Sequence, residues 1–347
     1  MMNVLSAFGL NANADLTQIS SGIINSTWKV KSGTADYIFQ RINDHVFASP
    51  ENIHHNISAV AGYLKKHNPD YLFPAPILSL GGTELVHMPG EGYYRLFPFI
   101  EGTHTIEVVE TANQALEAST QFGRFTAKLK NFNVSQLKIT IPHFHDLSYR
   151  HQQFLDAINN GDPERVHAEK ALIARLYKFD FLVKQFEEIT QNAAFKKRVI
   201  HHDTKISNVL FDGANKAVCV IDLDTLMPGY FFSDVGDMMR TYLCPVSENE
   251  ADINKINIRP SFYHAIVQGY SKEMRGELTP IEKEHFFYAG QFMIYMQAIR
   301  FLTDYFNSDK YYQILYSNHN LVRAINQTVL LERLTEYEMD FKNIFYE

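Results

Sequence analysis

The chain has 347 residues, 46% of them hydrophobic and 20% charged, so it can form a folded core and is not a disordered protein. The formal net charge is −7 and no block of Lys and Arg occurs, which argues against binding to nucleic acid or to an anionic membrane surface. The two cysteines, Cys219 and Cys244, lie outside any Cys/His cluster, which excludes a zinc site and a disulfide framework and indicates a reducing compartment.

The amino-terminal segment, Met1–Asn13, lacks the basic start and the long apolar stretch of a secretory signal. No run of about 18 apolar residues follows anywhere in the chain, so the sequence predicts no transmembrane helix. We therefore expect a cytoplasmic protein that binds neither nucleic acid nor a membrane.

Short strand-like runs dominate the chain up to about residue 100. They are rich in β-branched and aromatic residues and are separated by Gly, Pro, Ser and Asn, which is typical of strands joined by turns. The predicted strands are Thr27–Lys31, Asp36–Asn43, Ile77–Leu80, Leu85–Met88 and Tyr93–Phe99. One helix, Ile53–His67, is predicted among them because its apolar residues recur on one face.

Helices dominate after residue 100, and proline marks the start of two of them. The predicted helices are Glu107–Leu129, Tyr149–Asn160, Pro163–Thr190, Ser261–Met274 and Pro280–Phe306. Asp162 before Pro163 and Thr279 before Pro280 each combine an N-cap with a proline at the first helical position. A β-rich island, Val199–Asp224, interrupts the helices and contains a predicted hairpin turn at Asp212-Gly213.

The island also carries the residue types that phosphoryl transfer needs. The pattern His-x-Asp-x-Lys-x-x-Asn, followed by Asp-x-Asp, is formed by His201, Asp203, Lys205, Asn208, Asp222 and Asp224. A carboxylate can orient an attacking hydroxyl and accept its proton, while carboxylate and amide oxygens can hold Mg²⁺ against phosphates. A lysine can neutralise the charge on the transferred group. The island therefore predicts a phosphoryl-transfer site.

The pattern resembles the catalytic loop of protein kinases, and Asp222-Leu223-Asp224 stands where those enzymes carry Asp-Phe-Gly. The form His201-His202-Asp203-Thr204-Lys205 resembles the aminoglycoside phosphotransferase and choline kinase branch of that fold, which also shares the short gap between the two motifs. The chain resembles the N-acetylhexosamine 1-kinase family in four separated segments. These segments are Gln40–Asn43, His201–Asn208, Cys219–Gly229 and Arg300–Tyr305.

This resemblance implies an α+β, bilobal protein-kinase-like fold of the aminoglycoside phosphotransferase type. A small β-rich lobe at residues 1–100 would bind the nucleotide, and a larger helical lobe at residues 101–347 would hold the catalytic and substrate-binding residues. The implied activity is transfer of the γ-phosphate of ATP, with Mg²⁺, to the anomeric hydroxyl of an N-acetylhexosamine. The partners would be ATP and a small sugar, and the oligomeric state stays open.

The resemblance also implies roles for the residues of the island. Asp203 would be the catalytic base and would touch the acceptor, and Lys205 would lie near the γ-phosphate. Asn208 and Asp222 would hold Mg²⁺. Asp224 would contact a second Mg²⁺ or the sugar.

Structural and acceptor roles follow in the same way. His201 and Asp234 would brace the catalytic loop, Asp234 through backbone N–H groups. Arg300 and Tyr311 would bind the sugar. A second acidic residue, Asp237, is expected to do no more than pair with Arg240 at i, i+3 on a helix.

The nucleotide side departs from the kinase pattern. The segment Ser20–Thr27 has a single glycine where kinases fold a Gly-rich loop, although its polar groups and backbone N–H groups can still cradle an anion. The usual strand lysine is absent, and we expect Arg41, or failing it Gln40, to replace it. Helix Ile53–His67 lacks the usual glutamate. The predicted nucleotide-binding residues are Gly22, Ser26, Thr27, Arg41, Pro98, Phe99 and Ile100, the last three in a segment that resembles the inter-lobe hinge.

Three alternatives stay open. In the first, the acceptor hydroxyl belongs to an aminoglycoside, choline, homoserine or another sugar, although Arg300 argues for a neutral acceptor. Ile23, where related enzymes carry a histidine near the sugar, leaves the identity of the sugar open. A metal-dependent hydrolase would use the island's histidines and carboxylates, but His201 and His202 point to opposite sides of an extended chain. A non-catalytic pseudokinase would explain the missing lysine and glutamate, but not the intact catalytic pattern.

Overall fold

Two units share the chain, and each is assembled from stretches that are not consecutive in the sequence. The first unit comprises Met1–Thr105, Lys128–Pro142 and Asn208–Pro228. The second unit comprises Ile106–Ala127, His143–Ser207 and Gly229–Glu347. The structure, a computed structural model, describes residues 2–19, 25–33, 35–342 and 344. No helix in this described part is long and apolar enough to cross a membrane.

The strands mostly fall where the sequence predicts them. Those expected at residues 27–31, 36–43, 85–88 and 93–99 are confirmed to within one residue at each end. The strands are β1 (Asp15–Ile19), β2 (Ser26–Ser32), β3 (Ala35–Ile42), β4 (Leu85–Met88), β5 (Gly92–Pro98), β6 (Thr103–His104), β7 (Arg198–Ile200), β8 (Val209–Asp212), β9 (Ala217–Val220) and β10 (Met227–Gly229).

The helices account for most of the remaining chain, and short 3₁₀ turns join some of them. They are α1 (Met2–Ala7), α2 (Pro50–His67), α3 (Ala112–Lys128), α4 (Leu147–Asn160), α5 (Pro163–Ala168), α6 (Lys170–Tyr177), α7 (Phe181–Gln191), α8 (Phe231–Tyr242), α9 (Pro260–Met274), α10 (Pro280–Glu284), α11 (Phe286–Phe306), α12 (His319–Glu336) and α13 (Glu338–Phe341).

A five-stranded antiparallel sheet in the order β1-β2-β3-β5-β4 forms the centre of the first unit. Alternate residues of its strands turn to one face, where Val30, Phe39, Tyr94 and Leu96 pack against one another and against α1. The rings of Phe39 and Tyr94 stack with centroids 5.4 Å apart. The same alternation places Gln40 opposite Arg95 in the ladder between β3 and β5.

A second sheet in the first unit, in the order β6-β8-β9, contains the predicted hairpin. Val209 on β8 pairs with Val220 on β9. The turn is closed by Asp212, whose Oδ1 accepts the backbone N–H groups of Ala214 at 2.8 Å and Lys216 at 2.9 Å. The antiparallel pairing brings the residue before β8 and the residues after β9 to the same end of the hairpin.

Helices α8, α11 and α12 pack together in the second unit. Helix α11 is apolar on nearly every side and is buried along almost its whole length, as expected of a helix surrounded by others. Glycine lets α8 approach it closely: a Cβ atom on Gly236 would lie 2.3 Å from the carbonyl oxygen of Ala289 and 2.9 Å from the Cβ of Met293. This contact fixes the position of α8.

The structure corrects the element predictions at three places. Residues 77–80 form no strand, because Pro74 and Pro76 lack N–H groups and the N–H groups that follow donate to scattered acceptors: Ile77 to Leu96, Ser79 to Thr83 and Leu80 to Ala7. The helix expected at 163–190 is three helices, α5 to α7, and the one expected at 280–306 is two, α10 and α11. The breaks lie at residues 169, 178–180 and 285 and contain neither glycine nor proline. The apolar spacing continues across them, so the sequence gives no sign that the helices end there.

We expect Gly236→Ala to lower the free energy of unfolding by roughly 1–3 kcal/mol, the usual cost of overpacking a core. The added methyl would meet the backbone carbonyl of Ala289, which cannot move without displacing α11. Gly276→Ala is the matched control, since no atom lies within 4 Å of its Cβ position. Urea unfolding of both variants measures the difference, and equal stabilities would show that α8 and α11 can separate without cost.

Candidate active site

The loop after β7 is held by two carboxylates of α8, all within the second unit. Asp234 accepts the backbone N–H groups of His201 at 3.1 Å and His202 at 2.7 Å. Asp237 accepts the backbone N–H of Thr204 at 2.8 Å. These bonds satisfy buried N–H groups that no strand partner or helix could pair, so they fix the path of the loop.

Two further hydrogen bonds join the same loop to α8. Thr204 donates its hydroxyl to the carbonyl oxygen of Asp234 at 2.7 Å, and Tyr242 donates to the carbonyl oxygen of Thr204 at 2.6 Å. His202 has a left-handed backbone (φ 66°), which is uncommon for a residue other than glycine. Its ring leaves no room for a side chain at Gly229, where a Cβ would lie 2.5 Å from Nε2.

Burial and charge act in opposite directions on Asp234. Burial raises its pKa to about 6, although His201 and the two backbone N–H groups favour the ionised form. The residue is fully enclosed, so its carboxylate serves the loop and not a ligand.

Asp203 lies in the middle of this loop and is partly exposed. Its Oδ1 is 3.1 Å from the Nζ of Lys205, and its backbone N–H donates to the Nδ1 of His201 at 3.3 Å. Burial alone would raise the pKa of Asp203, but Lys205 and His201 outweigh this and hold the pKa below its usual value. The carboxylate is therefore ionised near neutral pH and able to accept a proton.

Lys205 gains from the same pair. The charge of Asp203 raises the pKa of the Lys205 ammonium despite burial, so the lysine stays protonated.

The predicted pair of Asp237 with Arg240 is present, with the Nε and Nη2 of Arg240 at 3.1 and 3.0 Å from the Oδ1 of Asp237. Arg240 also donates to Glu248 at 2.8 Å. Because Asp237 additionally holds the loop, its role is larger than the sequence indicates.

The predicted metal ligands Asn208 and Asp222 lie at one end of the hairpin in the first unit. The carbonyl oxygen of Asn208 accepts the N–H of Ile221 at 2.9 Å, so Ile221 lies opposite Asn208. Asp222 is the next residue along the chain and therefore lies near Asn208. Asp222 is exposed and has a left-handed backbone (φ 59°), a strained conformation that often marks functional sites. One amide and one carboxylate suit Mg²⁺, which takes few protein ligands beside substrate phosphates.

Asp224 occupies a different environment from Asp222. It is 2% exposed, and its Oδ1 lies 2.5 Å from the Nη2 of Arg95 in a buried ion pair. Its Oδ2 accepts a hydrogen bond from the amide of Asn25 at 2.6 Å. Both oxygens are thus engaged within the first unit. No cluster of three or more His, Cys, Asp or Glu side chains arranged for a metal occurs among the residues that the structure describes.

The residues predicted to bind nucleotide lie in several places in the first unit. Gly22 falls outside the described residues, as does Ile23. Ser26 and Thr27 begin β2, and Thr27 accepts a hydrogen bond from the amide of Gln40 at 3.1 Å.

The side chain of Arg41 points away from Gln40 and Thr27. Successive residues of a strand point to opposite faces, so Arg41 lies on the face opposite Gln40. Its Nε donates to the carbonyl oxygen of Glu91 at 2.7 Å, and its guanidinium lies beside Gly92, where a Cβ would be 3.2 Å from Nε. Arg95 is a cation on the face of Gln40, because the two residues are paired across the ladder, and the register of β2 with β3 places Lys29 and Lys31 on that face as well.

The segment predicted as the hinge follows β5. Pro98 ends the strand and has no N–H, while the N–H of Phe99 donates to the carbonyl oxygen of Asp36 at 3.1 Å. The ammonium of Lys29 lies 3.6 Å from the centroid of the Phe99 ring. The carbonyl oxygen of Ile100 accepts the hydroxyl of Thr103 at 2.6 Å.

Arg300 and Tyr311, the predicted sugar contacts, lie together in the second unit. The guanidinium of Arg300 is 5.7 Å from the ring centroid of Phe144, 5.6 Å from that of Tyr312 and 6.0 Å from that of Tyr311. It donates to Gln297 at 3.2 Å. Within the described residues Arg300 makes no ion pair, so its charge is not neutralised by a carboxylate.

A buried carboxylate shapes the turn that carries Tyr311. Asp304, four residues after Arg300 on α11, accepts the backbone N–H groups of Lys310 at 2.9 Å, Tyr311 at 2.8 Å and Tyr312 at 2.9 Å. The tyrosine ring itself is 65% exposed. The backbone is thus fixed while the ring stays available to a ligand.

A second guanidinium lies near Arg300. Burial, followed by the charge of Arg300, lowers the pKa of Arg150 on α4. Burial, His202 and Arg300 lower the pKa of His145 well below its usual value, so this imidazole is neutral. The Nε of Arg150 and the Nδ1 of His145 are buried and find no hydrogen-bond partner in the described part of the chain. We name these two residues with Arg300, Tyr311 and Phe144 the arginine–aromatic cluster.

Comparison with protein families identifies the class of protein. The family model described as phosphotransferase enzyme family (APH) matches residues 15–281, which is most of the chain. The chain belongs to the phosphotransferase enzyme family. The matched span contains the whole pattern from His201 to Asp224 and the loop-bracing residues of α8.

Solved structures show the same fold for this phosphotransferase. A microcompartment-associated aminopropanol kinase superposes with a TM-score of 0.68 at 17% identity, covering 98% of this chain and 97% of its own. A spectinomycin phosphotransferase in complex with ADP and spectinomycin gives a TM-score of 0.55 at 15% identity, over 99% and 95%. A choline kinase from Cryptosporidium parvum Iowa II gives 0.58 at 13%, over 98% and 96%. The predicted α+β kinase-like fold is confirmed.

Sequence reasoning missed several residues around the predicted sites, although two carried a signal. Arg95 is a charged residue in the middle of the apolar run 93–99, a position that normally needs a partner. Asp237 follows Asp234 by three residues and so shares its helix face. Tyr242, Asn25 and Asp304 gave no signal, because their roles depend on contacts that spacing does not reveal.

Replacing Lys205 by Met is expected to move the acid limb of the kcat/KM profile of this phosphotransferase to higher pH. Burial favours neutral Asp203, and Lys205 is the largest contribution that opposes it, so the pKa rises when the lysine is lost. Only the ionised carboxylate can accept the proton. As the pH is lowered, the variant should therefore lose activity at a higher pH than the wild type does. Lys184→Met, an exposed lysine of the same unit, should leave the limb in place. An unmoved limb in Lys205→Met would mean that Asp203 is not the titrating base.

Proposed function

We propose that this phosphotransferase uses ATP and Mg²⁺ to phosphorylate the anomeric hydroxyl of an N-acetylhexosamine, giving the sugar 1-phosphate. Family membership supports the transfer of a phosphoryl group, and the intact pattern of Asp203, Asn208 and Asp222 supports a catalytic protein. The spectinomycin phosphotransferase was solved with ADP, and the amicoumacin kinase with AMP-PNP and Ca²⁺. These relatives support ATP and a divalent cation as the cofactors here.

Each catalytic residue has a chemical task under this proposal. The ionised carboxylate of Asp203 accepts the proton of the attacking hydroxyl, and Lys205 holds that carboxylate ionised while offsetting charge on the phosphoryl group. Asn208 and Asp222 would hold Mg²⁺, which supplies neutralisation of phosphate charge when bound. The bonds from Asp234 and Asp237 keep the loop in one conformation, so the base does not have to be ordered for each turnover.

The arginine–aromatic cluster is the observation that favours a sugar over a cationic acceptor. Two neighbouring guanidinium groups, neither in an ion pair within the described part of the chain, repel an ammonium group. A guanidinium can donate to ring hydroxyls or to an acetamido carbonyl, and the exposed face of Tyr311 can cover a sugar ring. The cluster therefore supports a neutral, oxygen-rich acceptor and argues against aminopropanol, choline or an aminoglycoside.

The hydrolase and pseudokinase alternatives are separated from this proposal by one assay. A hydrolase that cleaves ATP forms ADP without any acceptor, and a pseudokinase forms no ADP under any condition. A kinase forms ADP only when ATP, divalent metal and an acceptor hydroxyl are all present.

We expect ADP release from MgATP with N-acetylglucosamine or N-acetylgalactosamine, and no release after chelation of the metal. Choline, 1-amino-2-propanol and spectinomycin serve as cationic comparison acceptors and should give no more ADP than buffer. Phosphorus NMR of the product should show coupling to the anomeric proton. Coupling to the protons on carbon six would overturn the assigned position, and turnover of the cationic acceptors alone would overturn the acceptor class.

Arg300→Ala should reduce kcat/KM for the sugar by about 10- to 100-fold, because a hydrogen bond from a charged donor to the acceptor is lost. The KM for ATP should stay nearly unchanged. Arg175→Ala is a matched control, since this arginine pairs with Glu332 on the surface of the same unit. Equal losses for ATP and sugar in Arg300→Ala would indicate a structural role for the arginine instead.

A further inference from the structure

Arg95 is the most enclosed arginine of the strands in the first unit. It lies in the middle of β5 and is 3% exposed. A charged group at such a position is costly unless it is paired and hydrogen-bonded, so its partners should explain its presence.

Three side chains, those of Gln40, Asp224 and Asn25, hold the Arg95 guanidinium directly or through one another. The Oε1 of Gln40 accepts from both Nε at 3.0 Å and Nη2 at 2.9 Å, and Nη2 lies 2.5 Å from Asp224. Asp224 is held in turn by Asn25 at 2.6 Å, whose own Oδ1 accepts the N–H of Asn43 at 3.0 Å. Arg95 is therefore fixed in one orientation by a closed network.

One nitrogen of the guanidinium stands outside this network. Nη1 of Arg95 is buried and has no hydrogen-bond partner among the residues that the structure describes. An unsatisfied buried donor costs free energy, and retaining one on a charged group indicates a partner that the protein does not itself supply. Asn25, two contacts away, belongs to the segment Ser20–Thr27, where the sequence predicts the loop over the nucleotide phosphates.

Helix α2 explains why the anionic partner of Arg95 comes from another element. Its buried polar residue is Asn56, in a helix whose other buried residues are apolar apart from the first turn. Asn56 donates to the carbonyl oxygens of Lys138 at 2.8 Å and Leu226 at 2.7 Å, and accepts from Lys138 at 2.7 Å. The one acidic residue of this helix, Glu51, is exposed in its first turn, so none of its buried residues is a carboxylate, and Asn56 instead holds the backbone two residues after Asp224.

We propose that Arg95 and Asp224 together replace the strand lysine and helix glutamate that this chain lacks, and that Arg95 donates through Nη1 to a phosphate oxygen of the nucleotide. Asp224 is the positioning residue of this pair, and Gln40, at the strand position where a lysine was expected, holds the arginine from the other side. The inference rests on the proposed function, since it assumes that the chain binds ATP.

The proposal revises the earlier assignment of the cation to Arg41. The guanidinium of Arg41 is engaged by the carbonyl oxygen of Glu91 on the face opposite Gln40. Arg95 carries the same charge on the face of Gln40 and has an unused pair of N–H donors. Arginine in place of lysine adds a planar fork that can serve Gln40, Asp224 and a phosphate at once.

The test compares ligands that differ only in their phosphates. Calorimetry gives the Kd of MgATP and of adenosine for the wild type, Arg95→Gln, Arg41→Gln and the control Lys31→Gln, an exposed lysine of β2. Arg95→Gln should weaken MgATP by about 10- to 100-fold and leave adenosine unchanged, since only the phosphate contact is lost. Arg41→Gln and Lys31→Gln should change neither constant by more than about twofold.

Two further variants keep the proposal falsifiable if Arg95→Gln does not fold. Gln40→Leu and Asp224→Asn leave the arginine in place but release it from its fixed orientation, so each should weaken MgATP and spare adenosine. Thermal unfolding of every variant separates loss of fold from loss of phosphate binding.

The outcomes distinguish this inference from the proposed function. A wild-type protein that does not bind MgATP would overturn both. MgATP binding that survives in folded Arg95→Gln or Gln40→Leu, or that falls together with adenosine binding, would overturn the role of Arg95 alone. Loss of MgATP binding in Arg41→Gln with no change in Arg95→Gln would return the role to Arg41.

Discussion

The second unit depends on hydrogen bonds between the carboxylates of α8 and the backbone of the loop after β7. A loop that must present Asp203 cannot also pair its N–H groups in a strand, so the groups of His201, His202 and Thr204 need acceptors from elsewhere. Buried carboxylates supply strong acceptors, at the cost of a raised pKa for Asp234. The close approach of α8 to α11 at Gly236 is what keeps those acceptors in place.

The register of a sheet plays the corresponding part in the first unit. Pairing between β3 and β5 sets Gln40 against Arg95, and this cross-strand pair meets Asp224 after β9. A cation can therefore be moved from one strand to its neighbour without leaving the same face of the sheet. If Arg95 and Asp224 replace the usual lysine and glutamate, as proposed, the ion pair is preserved by geometry and not by sequence position.

Local sequence patterns predicted what local physics determines. The strands, the hairpin turn at Asp212 and the catalytic pattern from His201 to Asp222 each follow from the spacing or type of residues within a short segment. The i, i+3 spacing of Asp237 and Arg240 indicates a helix at this place, but the bounds of α8 were not predicted, because nearly all its residues are buried, Asp234 and Asp237 included. The pairing of Arg95 with Asp224 joins residues more than a hundred positions apart, so only the folded chain could show it.

Charge separates the acceptor proposed for this chain from the compounds that its relatives are named for. Relatives that share the fold are named for aminopropanol, choline and spectinomycin, which carry amine or quaternary ammonium groups, whereas this chain sets Arg150 near Arg300. The carboxylate nearest to Arg300 in sequence is that of Asp304, and it accepts backbone N–H groups of the turn that carries Tyr311. Under the proposed function, α11 presents the guanidinium of Arg300 to the acceptor while the carboxylate of Asp304 holds the backbone of its own turn. Arg300 and Asp304 are one helical turn apart, so the same short stretch of α11 would then set both the shape of the turn and the charge that a bound acceptor meets.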